Sequence, residues 1–174
     1  MANNKPIRLD KSISELAREA LWFILYSLFA VVLLEAVLAA MTLGHPDRDA
    51  VAPKIFATVL AFLIPMTGGF LVVRLQSNRA NARIARTVWV AALLDFSVVC
   101  VWVLNLPTGR GLCEGCTAAQ KLTRTFFAIH QGSGLIGGDG LLIGAWMPLA
   151  MLGFSAGAAL GFRTTYTSTA KRAA

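Results

Sequence analysis

The sequence predicts an all-α integral membrane protein: a four-helix bundle with both termini cytoplasmic (N-in/C-in) and short amphipathic helices at the membrane interface. Three observations predict it. The 174 residues are 56% hydrophobic and only 14% charged, where an ordinary soluble domain has roughly 45–50% and 25%. The charges fall between four apolar blocks, and each block has the roughly 20 residues that a helix needs to cross a bilayer. Lys and Arg are shared unequally among the segments between the blocks, as they are in polytopic proteins. The mean hydropathy is +0.64. The net charge of +7 is then a consequence of topology, and no nucleic-acid partner is expected.

Residues 1–20 form a polar cytoplasmic arm. Ser12-x-x-Glu15 has the form of a capping box. Ile13, Leu16, Ala17 and Ala20 share one helical face, which predicts a short surface helix running into the first span. The first span covers residues 21–43 and contains Glu35. Val37-Leu38-Ala39 resembles a signal-peptide cleavage site. The polar region before it is long, however, and the apolar run exceeds the usual core of about 7–15 residues, so the segment is expected to stay as a span.

A polar turn with Pro46 and Pro53 leads to the second span, residues 55–75. Pro65 and Gly68-Gly69 predict a kink in it. Residues 76–86 carry Arg79, Arg83 and Arg86 at helical spacing. They are expected to meet anionic lipid headgroups or a cytoplasmic partner. The third span is residues 87–106, with Asp95 inside it. The longest loop follows, with Cys113 and Cys116 near its start. Thr117-x-x-Gln120 is expected to cap a helix with Leu122, Phe126 and Ile129 on its apolar face, lying at the membrane surface.

The fourth span, residues 135–162, organises the rest. It has one charge, Asp139, and seven glycines, of which Gly153, Gly157 and Gly161 stand four apart. Glycines at that spacing make a helix-packing face where another helix's backbone comes close. Residues 163–174 are a cytoplasmic tail, so the transmembrane domain is 21–162.

Orientation follows from counting. Lys5, Arg8, Lys11, Arg18, Arg74, Arg79, Arg83, Arg86, Arg163, Lys171 and Arg172 lie on one side. Arg48, Lys54, Arg110, Lys121 and Arg124 lie on the other. The richer side is cytoplasmic, which puts the Cys113 loop outside. Compact loops and the lack of a transit-type leader suit a bacterial inner (plasma) membrane.

Glu35 and Asp95 are the first chemical candidates, because an ionisable group at membrane depth costs at least about 2.5–3.5 kcal/mol. On straight helices they lie about 21 Å and about 12 Å from the inner ends of their spans. They are therefore not a catalytic pair. No Lys, Arg or His lies at mid-membrane to neutralise them. Three roles are open: hydrogen bonding to neighbouring helices, contact with a partner subunit or lipid, and ion or proton translocation. Asp139 sits where a negative charge favours a helix N-terminus and can also meet a partner's backbone.

Cys113 and Cys116 form a C-x-x-C pair. Zinc needs about four ligands, and only Glu114 and His130 are near, so no metal site is expected. On an oxidising face the pair is either a small structural disulfide or a redox centre. Four spans with outer-face cysteines resemble the architecture of DsbB-type and vitamin K epoxide reductase-type thiol oxidases. Those families relay electrons through a second cysteine pair. Here Cys100 stands alone in a span, so no catalytic residue is carried over. Gly132 to Gly137 spells G-x-G-x-x-G but lacks the strand and the later acid of a dinucleotide site. No catalytic triad, phosphate loop or cofactor motif is present in the sequence.

The expected function is non-catalytic: a small membrane subunit or assembly factor of a larger complex in secretion, conjugation, respiration or transport. Its partners would be membrane lipids and other membrane subunits or further copies of the chain. One alternative is a quinone-linked thiol–disulfide oxidoreductase using Cys113 and Cys116. Another is a small transporter or channel subunit using Glu35 and Asp95.

Overall fold

The structure is a computed structural model that describes residues 12–44, 50–76, 78–106, 115–127 and 140–167. All regular structure among them is helical: α1 (Ile13–Gly44), α2 (Val51–Leu75), α3 (Arg79–Ala85), α4 (Trp89–Asn105), α5 (Ala118–Phe127) and α6 (Met147–Phe162). Short π-helical turns, Leu142–Trp146 and Arg163–Thr167, extend α6 at both ends. Four stretches are long and apolar enough to cross a membrane: α1, α2, α3 with α4, and α6 with its π-turns. The chain is thus a multi-pass helical membrane protein.

The helices alternate in direction. Leu34 of α1 clusters with Ala57 and Ala61 of α2, while Tyr26 and Ala30 cluster with Val73. α1 and α2 are therefore antiparallel. On α4, Ala92 shares a cluster with Met151 and Phe154, while Val99 and Val103 gather Ile143. α4 and α6 are therefore antiparallel as well. The start of α1, the turn between α2 and α3, and the end of α6 then lie at one end of the molecule.

α6 is the hub, in contact with α1, α2, α3 and α4. Of its apolar stretch 56% is buried, against 22% for each of the other three. The tightest contact is with α2, which runs parallel to it. A methyl group on Gly153, Gly157 or Gly161 would strike the backbone carbonyl of Phe62, Met66 or Phe70 in turn, at 2.8 Å for Gly161 and closer for the others. Gly69 of α2 meets the Phe154 carbonyl in the same way. Such approaches allow Cα–H···O contacts and dense dispersion packing, the chief association forces where lipid removes the hydrophobic effect.

Some bounds differ from those read in the sequence. α1 is one unbroken helix from Ile13, so the surface helix expected within residues 1–20 is, from Ile13 on, the first turns of the span helix. Its length of about 48 Å exceeds the roughly 30 Å hydrocarbon core, so it projects from the membrane. α2 starts at Val51 and runs through Pro65 without interruption. The third stretch is helical from Arg79, inside the segment 76–86, and is broken between Ala85 and Trp89.

The break has a local cause. The Val90 N–H donates to Thr87 and that of Ala91 to Val88, one residue short of the α-helical partner. This frees the Arg86 carbonyl, and Ser155 Oγ of α6 donates to it at 2.5 Å. Ser155→Ala leaves that acceptor unpaired. It should lower stability in detergent by about 0.6–2 kcal/mol, the range for interhelical hydrogen bonds in membranes, measured by thermal melting.

The Thr117 capping box forms in full and the Ser12 box in half. Ser12 Oγ accepts from the Glu15 N–H at 3.3 Å. Thr117 and Gln120 exchange bonds of 2.9 and 3.4 Å. Trp146 is buried and donates to Thr58 Oγ1 at 2.8 Å.

Candidate functional site

Glu35 lies on the outward face of α1. Tyr26, Ala30, Leu34 and Val37 turn that helix inward. Glu35 is exposed and has no hydrogen-bonding partner among the described residues. Among the described residues no neighbouring helix offers it a hydrogen bond. Its neighbours on that face, Leu28, Val32, Ala39 and Thr42, are exposed too.

Asp95 is on the inward face of α4, between buried Ala92 and Val99. It is half-buried, and its Oδ2 is buried without a hydrogen-bond partner. Ala92 clusters with Met151, and Val99 with Ile143. Asp95 is therefore level with the stretch of the fourth span that holds Pro148, a residue without an N–H to offer. The two intramembrane acids belong to different surfaces, because α1 and α4 each pack on α6 rather than on each other.

Cys116 and Cys100 pack against one cluster, formed by Val99, Val103 and Phe126. Cys100 is a free thiol. Gly115 takes φ +69°, a conformation that glycine adopts without strain. Cys113 and Asp139 lie outside the described residues, as do Ile129 and both histidines.

The next element, α5, packs on α4 and on the π-turn. Phe126 is buried and Leu122 half-buried, and Phe126 stacks on Phe96 with centroids 4.7 Å apart. The described part of the apolar face expected at the membrane surface, Leu122 and Phe126, thus packs on other helices. Lys121 secures this arrangement. It is buried, and its Nζ donates to the Leu106 carbonyl at 2.5 Å and the Leu104 carbonyl at 3.4 Å. A cation here satisfies the last carbonyls of α4 and opposes the negative end of its dipole. Lys121→Ala should cost about 1.5–3 kcal/mol, the range for hydrogen bonds to a charged group. Faster proteolysis of residues 115–127 would report it.

At the opposite end of the molecule, Arg86 and Arg79 lie over the Phe162 ring, with Cζ 4.7 and 5.8 Å from its centroid. Arg74 lies 5.4 Å over Phe70. Arg83 is exposed beside them. The stacked guanidiniums stand at the rim of the helices. The sequence reading missed three features of the site: Phe162 as this platform, Lys121 as a cap, and Ser155 as the partner of Arg86. Only the spacing of the arginines signals the first, and nothing local signals the others.

Comparison with protein-family models, curated proteins and solved structures finds no match for this chain.

Proposed function

We propose that the protein is a non-catalytic subunit or assembly factor of a larger complex in a bacterial inner membrane, with both termini cytoplasmic. One observation carries this reading: Glu35 faces outward from the apolar run of α1 with no partner among the described residues. A carboxyl there is costly in lipid, at about 2.5–3.5 kcal/mol or more, and a second polypeptide removes the cost. The arginine cluster at the α1 start and α6 end supports the orientation. Its exposed guanidiniums suit anionic headgroups. Pairing of Cys116 with Cys113 in a disulfide pinning the outer loop fits a free Cys100. The test is affinity purification of the tagged chain in mild detergent, followed by mass spectrometry. A membrane protein in stoichiometric amount is expected. A lone chain, together with normal assembly of every membrane complex after deletion, would overturn the proposal.

A second reading, a membrane thiol–disulfide oxidoreductase, rests on Cys100 and Cys116 flanking one cluster. It requires quinone reduction by the purified protein that is lost in Cys113→Ser.

A further inference from the structure

We infer that the outward face of α1 is the docking seam for one transmembrane helix of a different polypeptide, and that this helix presents a Lys, Arg or His to Glu35. The inference rests on the subunit reading and names the partner's chemistry.

The exposed residues Leu21, Leu25, Leu28, Val32, Glu35, Ala39 and Thr42 are spaced alternately by four and three. That spacing averages about 3.5 residues and makes a continuous seam for a left-handed helix pair. The seam is apolar in its first half, with Leu21, Leu28 and Val32 all more than half exposed. Beyond Glu35 it narrows to Ala39 and Thr42, where a second backbone can come closer. One polar group in such a seam fixes the register of the partner. The apolar run 21–43 centres on Val32, so Glu35 is only about 4.5 Å from mid-membrane along the axis. From Glu35 to the end of α1 at Gly44 is about 13.5 Å of helix, too far for a glutamate side chain to reach water.

The occupant is identified by charge. A second copy of the chain would set Glu35 against Glu35. The described basic residues, among them Lys54, Arg74, Arg79, Arg86, Lys121 and Arg163, lie at or near helix ends, so the described part of a copy brings no cation to this depth. Lipid tails bring no donor. A partner helix with a basic residue satisfies both the carboxylate and its own buried charge, each of which would be costly alone.

The test uses the full-length chain in its native membranes. A photocrosslinking amino acid is placed at Val32 or Ala39 in the seam, and at Val59 on the exposed face of α2 as control. The seam positions are expected to capture one polypeptide through a membrane segment containing Lys, Arg or His, while Val59 does not capture that segment. Glu35→Lys should reduce recovery of this partner at least about tenfold, in line with loss of a buried charge pair, and an acid in place of the partner's basic residue should restore it. Capture of only a second copy, only lipid, or a segment without a cation would overturn the inference. If a stoichiometric partner co-purifies but crosslinks only from Val59, the seam is wrong and the subunit reading stands. If nothing co-purifies with the unaltered chain, both fall.

Discussion

Gly157→Leu should abolish the folded protein. A methyl group at that position already collides with the Met66 carbonyl, and the methyl's next contacts are backbone atoms of the same residue. Backbone in the middle of α2 has no rotamer to yield, so the two helices must separate along their length. Gly157→Ala should cost about 1–3 kcal/mol, the usual penalty of overpacking, and Leu considerably more. Gly161→Ala should be milder, because its nearest carbonyl is at 2.8 Å and its next neighbour is a Val73 side-chain atom. Gly44→Ala should have no effect, since nothing lies within 4 Å. Thermal melting in detergent, with size-exclusion profiles, would show this order. Equal melting points for all the variants would mean that α2 and α6 do not pack through these glycines.

Asp95→Leu should stabilise the protein. Its Oδ2 is buried and unpaired, and exchanging Asp for Leu at the centre of a spanning helix is worth about 3 kcal/mol on insertion scales. Leu also fills the space with apolar atoms between Ala92 and Val99. An ionisable residue inside a spanning segment marks a functional site by default, so the same variant should impair the complex in cells while it melts later in detergent. The transporter reading would instead have Asp95→Asn abolish flux with assembly intact. An Asp95→Leu protein that melts earlier would show that the carboxyl supports the fold.

The spans were legible because apolar length is a property of the sequence alone. Gly153, Gly157 and Gly161 were legible as a stripe because spacing by four has a direct geometric meaning on a helix. Their partner was not, because Phe62, Met66 and Phe70 contribute carbonyls, which every residue has. The direction of Glu35 was hidden for a different reason. Around Glu35 the run from Leu21 to Leu43 is apolar on all sides, so no polar face marks which side is inward, and only the packing of Tyr26, Ala30 and Leu34 decides it. The break at Arg86 carries no proline or glycine, and Ser155, whose hydroxyl takes up the freed carbonyl, is 69 residues away. Lys121 looked like an ordinary loop cation, and its role depends on where α4 happens to end.

Native mass spectrometry of the untagged chain, released directly from membrane patches, would decide most about its role. The chain alone weighs 18.6 kDa. The expected spectrum shows this mass combined with that of a different membrane polypeptide in fixed ratio, and Glu35→Lys dissociates the pair. A single species at 18.6 kDa, unchanged by Glu35→Lys, would contradict a subunit role and return attention to the cysteines and to Asp95.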